Sequence, residues 1–356
     1  MRIADAEFWS HDFELAEPYT IAYQTYDRAT NYFVQLTDTS GLSGYGCASP
    51  AEEVTGESFS DCASALDDAC LVLPGITSLE QLRGADDLES PPAATAAIEM
   101  AWLDLAARQQ RIPLHAFLGA EAKPMPTSIT IGISGLAETR ARGADFVKRG
   151  FRALKVKGGR DVELDVARML ALREDLGVAI DLRFDANEGY DLPAAIRFLD
   201  ATRVAALSVV EQPLSRDRVA EMAELRARAS RAKGPRPALI ADEAVLEEDD
   251  ARPLVDAAAI DGAVIKLMKC GGIRAAQQID SLASERGLRC MVSCMDEAAL
   301  AIAAALSFAL AAKCCVWIDL DGHLDLLNDP TTGALALSEG FLSPADGHGL
   351  GVTPKR

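Results

Sequence analysis

ALKVK (153–157), DLRFDAN (181–187), LSVVEQP (207–213), ALIADEA (238–244) and AVIKLMK (263–269) are five short apolar or β-branched runs, and each closes on charged residues. Stretches of helical period separate them, such as DVELDVARMLALREDL (161–176) and DRVAEMAELRARAS (217–230). The unit is a strand followed by a crossover helix, repeating roughly every 26 residues, as right-handed βα units require. Working outward, TSITIGI (127–133) precedes the five and RCMVSCM (289–295) and CVWIDLDG (315–322) follow them, which makes eight strands. Eight consecutive βα units predict a closed (β/α) barrel of the TIM-like α/β class. An open doubly wound sheet is the alternative, but it usually carries a glycine-rich phosphate turn after its first strand, and this chain has none there.

The first 122 residues read differently. FVQLTD (33–38) and the glycine-rich GLSGYG (41–46) lead into helical patterns over 58–73 and 94–110. They predict an α+β capping domain over 1–122, with the barrel over 123–329. Pro91-Pro92 and EAKPMP (121–126) supply helix breakers near the boundaries. The tail, 330–356, is expected to pack back on the first domain.

Composition narrows the function. Apolar residues make up 49% and aromatics 6%, with alanine-rich runs that suit closely packed helices. A net charge of −19 repels phosphate backbones and anionic lipid surfaces, so neither nucleic acid nor a membrane is expected as a partner. No apolar run reaches the roughly 20 residues a spanning helix needs. Eight cysteines without a C-x-x-C pair, and an N-terminus without a basic-then-apolar leader, predict a reduced cytoplasm. A homo-oligomer is compatible with this composition.

In a parallel barrel the chemistry sits where strands end. These ends carry Lys155 and Lys157, Asp185 and Asn187, Glu211, Asp242 and Glu243, Lys266 and Lys269, and finally Asp319 and Asp321. Any one alone is most simply a solvated charge. Together they form a pattern, because Asp185, Glu211 and Asp242 fall on three successive strands with lysines on both flanks. Three carboxylates are the hard-oxygen donor set of an octahedral Mg²⁺ site that leaves positions for water and substrate. An α-proton beside a carboxylate is very weakly acidic. Its removal calls for a metal to hold the enolate charge and for a lysine as base, with its pKa lowered by the nearby cation.

The motifs KVK (155–157), DAN (185–187), EQP (211–213), DE (242–243) and KLMKCGG (266–272) resemble, in order, those of the enolase superfamily and its muconate-lactonizing subgroup. The resemblance implies an N-terminal capping domain and Lys157 and Lys266 as the acid/base pair. It also implies one Mg²⁺ per site on Asp185, Glu211 and Asp242, with Lys155 assisting the substrate carboxylate. Two lysines on opposite faces suit racemase or epimerase chemistry, although cycloisomerases and o-succinylbenzoate synthases of the subgroup use the same pair. The D-L-D run, Asp319 and Asp321, resembles the D-x-D of the dipeptide epimerases, where two carboxylates hold a substrate α-ammonium group. Thr130, Cys294, Met295 and Asp296 then correspond to positions that contact the dipeptide.

The expected activity is inversion of the C-terminal α-carbon of an L,L-dipeptide. An N-acylamino-acid racemase, an o-succinylbenzoate synthase, a cycloisomerase and a ligand-binding barrel without catalysis are the alternatives. Two segments, 23–31 and 49–58, are expected as loops closing over the barrel mouth. Their acids, Asp27, Glu52 and Glu53, would favour dipeptides carrying Lys or Arg, whereas Arg28 beside Asp27 would argue the reverse. The four histidines, His11, His115, His323 and His348, do not cluster at metal-ligand spacing.

Overall fold

The computed structural model describes residues 1–20, 22, 25–84 and 91–356. Strands β1 (Ile3–Thr20), β2 (Thr25–Asp38) and β3 (Ser43–Ala48) form an antiparallel sheet in the order β1-β2-β3. The helices Phe59–Val72 and Pro92–Gln110 lie against it. GLSGYG explains how close they come: a Cβ at Gly46 would sit 1.9 Å from the Ala97 carbonyl oxygen, and one at Gly44 would sit 2.4 Å from that of Ala101. Glycine on the strand and alanine on the helix let the two backbones nearly touch. That helix is buried over most of its surface, so its alanines are spacers rather than one face of an amphipathic stripe.

Residues 25–31 are not a loop. Thr25 to Asn31 begin β2 and pair with β1 as far as Thr20 opposite Thr25, whose hydroxyls lie 2.9 Å apart. Aromatic and β-branched residues there favour the ladder over an open turn. Tyr23 and Gln24 fall outside the described residues. The 49–58 segment contains a short helix, Glu52–Thr55, which Gly56 ends at φ 77°.

After β4 (Met125–Pro126) the barrel strands follow: β5 (Ser128–Ile131), β6 (Ala153–Lys157), β7 (Asp181–Asp185) and β8 (Val209–Glu211). The second half is β9 (Ala238–Ala241), β10 (Gly262–Ile265), β11 (Arg289–Ser293) and β12 (Cys315–Asp319). They form one parallel sheet in sequence order, β5 to β12. A parallel bridge between Thr127 and Ile318 and a 2.5 Å hydrogen bond from Ser128 Oγ to Asp319 Oδ1 close the seam. Crossover helices start at side-chain caps where the sequence offers aspartate. Asp161 accepts from the Glu163 and Leu164 amides, and Asp191 from that of Ala194.

Val209, Ala238, Ile240, Val264 and Met291 fill the barrel interior with Trp317. Arg183, also buried there, donates to the Ile318 carbonyl at 2.8 Å and to Ser128 Oγ at 3.2 Å, a polar strut across the seam. A three-stranded sheet of β4, β13 (Leu335–Ser338) and β14 (Phe341–Pro344) follows the barrel. Beyond it, Leu350 N–H donates to Asp104, Arg108 donates to the Val352 carbonyl, and the Arg356 guanidinium lies 4.2 Å from the Trp9 ring. No helix among the described residues is long and apolar enough to cross a membrane.

Candidate active site

The register of the barrel sets the geometry of the site. Lys157 stands opposite Asp185, and Asp185 opposite Glu211, so side chains from successive strands emerge at one level. Lys157 ends β6, the second strand of the ring, and Lys266 follows β10, the sixth. Four positions apart in an eight-stranded ring, they face each other across the mouth. Asp185 and Glu211 end β7 and β8, and Asp242 directly follows β9, the three intervening strands. Asp319, at the end of β12, and Asp321 occupy the other arc, beside Thr130 on β5.

The three carboxylates offer oxygens that lie within 4.8 Å of one another, and all three side chains are buried. No other such group of acids, cysteines or histidines occurs among the described residues. This set suits a hard divalent cation. Burial and the neighbouring Asp185 push the Glu211 carboxyl well above its usual range, which is the electrostatic mark of acids crowded beyond what the lysines neutralise. Asp242 shows the opposite balance. Burial opposes its ionisation, yet Lys266 and Lys269 hold it well below the ordinary range, donating at 2.7 Å to Oδ2 and 2.6 Å to Oδ1.

Lys155 lies at the centre. Its Nζ is 2.8 Å from Asp319 Oδ2, 2.8 Å from Glu211 Oε2 and 3.2 Å from Asp185 Oδ2. Burial disfavours its charge, but Asp319, Glu211 and Asp185 outweigh that and hold it well above the usual lysine value. It is a fixed cation. Lys157 donates to Asp185 Oδ2 at 2.7 Å. Lys266 is likewise held above its usual value, by Asp242 against burial.

Asp319 and Asp321 differ although two residues apart. Asp319 is encased by Lys155, Ser128 and Ser293, and against burial Lys155 and then Ser128 hold it far below the usual range. Asp321 accepts the Thr130 amide at 2.7 Å, while burial and the charge of Asp319 push it up to about 7.

Above this floor opens a cavity of about 1070 Å³. Every substrate-contact and specificity residue expected from the sequence lines it: Thr130, Lys155, Cys294, Met295, Asp296, Asp319 and Asp321 from the barrel, and Asp27, Glu52 and Glu53 from the cap. Both lysines line it too. Cys294 is no thiolate, because burial and Asp321 push its thiol well above the usual value. His323 is not among the lining residues; burial pushes it down to about 4.

One residue beneath the site was not anticipated. Arg168, fully buried, donates to the carbonyls of Lys157 at 2.7 Å and Gly132 at 2.8 Å, to Thr139 Oγ1 at 2.8 Å and to Asp165 Oδ1 at 3.1 Å. It ties the end of β6 to the loop after β5. The readable signal was an arginine on the same helical face as Met169 and Leu172, where an unpaired charge would be costly.

Two sequence families match the chain, the mandelate racemase/muconate lactonizing enzyme N-terminal domain over residues 4–119 and the enolase C-terminal domain-like family over 138–356. The chain belongs to the mandelate racemase/muconate lactonizing enzyme family. Among its relatives, the L-Lys-D/L-Arg epimerase of Desulforapulum autotrophicum is 38% identical over 360 residues, 99% of each chain. The hydrophobic dipeptide epimerase of Enterococcus faecalis is 32% identical, over 99% of this chain and 100% of the relative. The dipeptide epimerase of Methylococcus capsulatus, solved with Mg and the dipeptide L-Arg-D-Lys, superposes with a TM-score of 0.93. It is 37% identical over 99% of this chain and 100% of that one.

Proposed function

We propose that this family member is a Mg²⁺-dependent dipeptide epimerase that inverts the α-carbon of the C-terminal residue, and that it favours dipeptides with cationic side chains. The observation that carries the reading is the pair of lysines, Lys157 and Lys266, four strands apart on either side of the acid triad. An α-carbon held between them has one amine on each face. One lysine takes the α-proton, the C–H electron pair moves into the substrate carboxylate, and the other lysine returns a proton from the far side, inverting the centre. Asp185, Glu211 and Asp242 would hold the Mg²⁺, which when bound supplies positive charge beside the substrate carboxylate. Lys155 adds a permanent cation to the same floor, and Asp321 offers a carboxylate to the α-ammonium group.

Support for the cationic preference comes from the rim. Asp27, Glu52, Glu53 and Asp296 line the cavity, and Arg28, also there, lies 3.6 Å from Asp27, which offsets its charge. Two relatives are L-Lys-D/L-Arg epimerases. In a partly desolvated mouth, opposite charge attracts and like charge is rejected. The test is kcat/KM with Lys-Arg, Ala-Glu and N-acetylated dipeptides, with and without a chelator. Lys-Arg should lead by at least about tenfold, which is a modest charge contribution, and chelation should abolish turnover. Preference for Ala-Glu overturns the cationic assignment, and preference for the acetylated substrate overturns the dipeptide assignment.

A further inference from the structure

One buried amide between the cap and the barrel takes no part in the triad or the lysine pair. Asn31, in β2, has no exposed surface. Its Nδ2 donates to the Asp296 carbonyl at 3.0 Å and to Ser49 Oγ at 3.2 Å, and its Oδ1 accepts the Ala298 amide at 2.8 Å. Ser49, just past β3, donates its hydroxyl to the same Asp296 carbonyl at 3.0 Å. The turn 295–298 is thus gripped from the cap. From within, Glu297 Oε1 accepts the Met295 amide at 2.8 Å, and the turn has little freedom left.

The neighbouring cap positions Phe33 and Val34 bury apolar side chains, and the backbone pairing of Asn31 with His11 needs no particular side chain. A buried amide is costly unless both its ends are satisfied. Here both ends are, and on both its oxygen and its nitrogen the bonds include the barrel turn. Position along the chain adds a second point. Tyr26 and Asp27 precede Asn31 on the same strand, Glu52 and Glu53 follow Ser49 within one helical turn, and all of them line the cavity with Asp296.

We propose that Asn31 and Ser49 are positioning residues that hold the cap's acids in register with Asp296, and thereby set which substrate side-chain charge the enzyme accepts. The proposal rests on the dipeptide-epimerase reading. Asn31 does not line the cavity and Ser49 lines it without a charge, so each acts through the turn it holds. Small displacements of a charged wall change binding steeply, so the effect belongs in KM for cationic substrates.

The test compares Asn31→Ala and Ser49→Ala with the parent on Lys-Arg and on Ala-Ala, separating kcat from KM. For Asn31→Ala, KM for Lys-Arg should rise about tenfold, the equivalent of one buried hydrogen bond, with kcat within about twofold and Ala-Ala unaffected. Ser49→Ala, which keeps the amide, should shift it about threefold in the same direction. In an Asp296→Ala background, Asn31→Ala should add no further loss. Equal losses on both dipeptides, or full additivity with Asp296→Ala, overturn the proposal and leave only a structural role. If Asn31→Ala does not fold, Ser49→Ala alone and with Asp296→Ala makes the same comparison. A parent enzyme inactive on every dipeptide overturns the epimerase reading and this proposal with it, whereas an active parent with the outcomes just named overturns this proposal alone.

Discussion

Replacing Lys155 with methionine keeps the length of the side chain and deletes its charge. Three carboxylates, Asp185, Glu211 and Asp319, then face one another without the cation that lies within 3.2 Å of each. Removing one partner from a buried ion set costs about 3–5 kcal/mol, because the remaining charges stay desolvated. Unfolding entropy of about 2.1 cal/mol/K per residue, taken over 356 residues, comes to about 0.75 kcal/mol/K, so Tm should fall by roughly 4–7 °C. Mg²⁺ should restore part of the loss. A divalent cation on Asp185 and Glu211 supplies charge that Lys155 no longer does, and a ligand that binds only the folded state stabilises it by mass action. The assay is thermal unfolding of parent and variant, each in chelator and in saturating Mg²⁺. The variant should melt lower in chelator and gain more from Mg²⁺ than the parent does. A variant that melts at the parent temperature in chelator, or gains no more than the parent, refutes the view of Lys155 as the counter-ion of the triad.

Lys157→Ala and Lys266→Ala should each abolish epimerisation while leaving α-proton exchange on one diastereomer, since each amine serves one face; deuterium incorporation followed by NMR checks this, and two single variants that still interconvert the diastereomers would defeat it. Asp321, pushed up to about 7 by burial and by Asp319, must be ionised to hold an ammonium group. Its proton is lost as pH rises, so kcat/KM should climb through pH about 7 and fall again above pH ~8 as the substrate amine deprotonates. Asp321→Asn should lose the rising limb, and a profile unchanged in that variant would place the limb on another group.

The barrel was legible because its strands are short apolar or β-branched runs, most of them closing on charge, separated by stretches of helical period. The floor of the site was legible because Asp185, Glu211 and Asp242 close neighbouring strands: register places Asp185 opposite Glu211, and Asp242, two residues beyond Ile240, the partner of Glu211, still brings an oxygen within 4.8 Å of theirs. What stayed hidden depends on contacts between distant residues. Arg168 reads as an ordinary helical arginine until Gly132 and Lys157 turn out to end beside it. The difference between Asp319 and Asp321 lies in Ser128, Ser293 and Lys155, which come from three other strands. The 23–31 segment was misread because its polar residues suggest a loop, whereas pairing with β1 makes most of it strand.

The helix Pro92–Gln110 works as a beam with two kinds of load. At Ala97 and Ala101 it meets the glycines of β3, and a Cβ at Gly272 would lie 2.0 Å from Glu99 Oε2, next to the turn that follows Lys266 and Lys269. Neither contact tolerates an added methyl group without movement. The 49–58 segment meets the beam at Glu57, which accepts the Ala93 amide at 2.8 Å and the Ala94 amide at 3.4 Å, but Glu52 and Glu53 there, like Asp27 in β2, are exposed and can change without shifting the lysines. On the proposed function, mutational drift is therefore tolerated where the substrate's side chain would be read and resisted where its proton would be moved. A scaffold divided in that way can acquire new substrates by substitutions in the cap alone, and libraries aimed at altered specificity are best confined to those two segments.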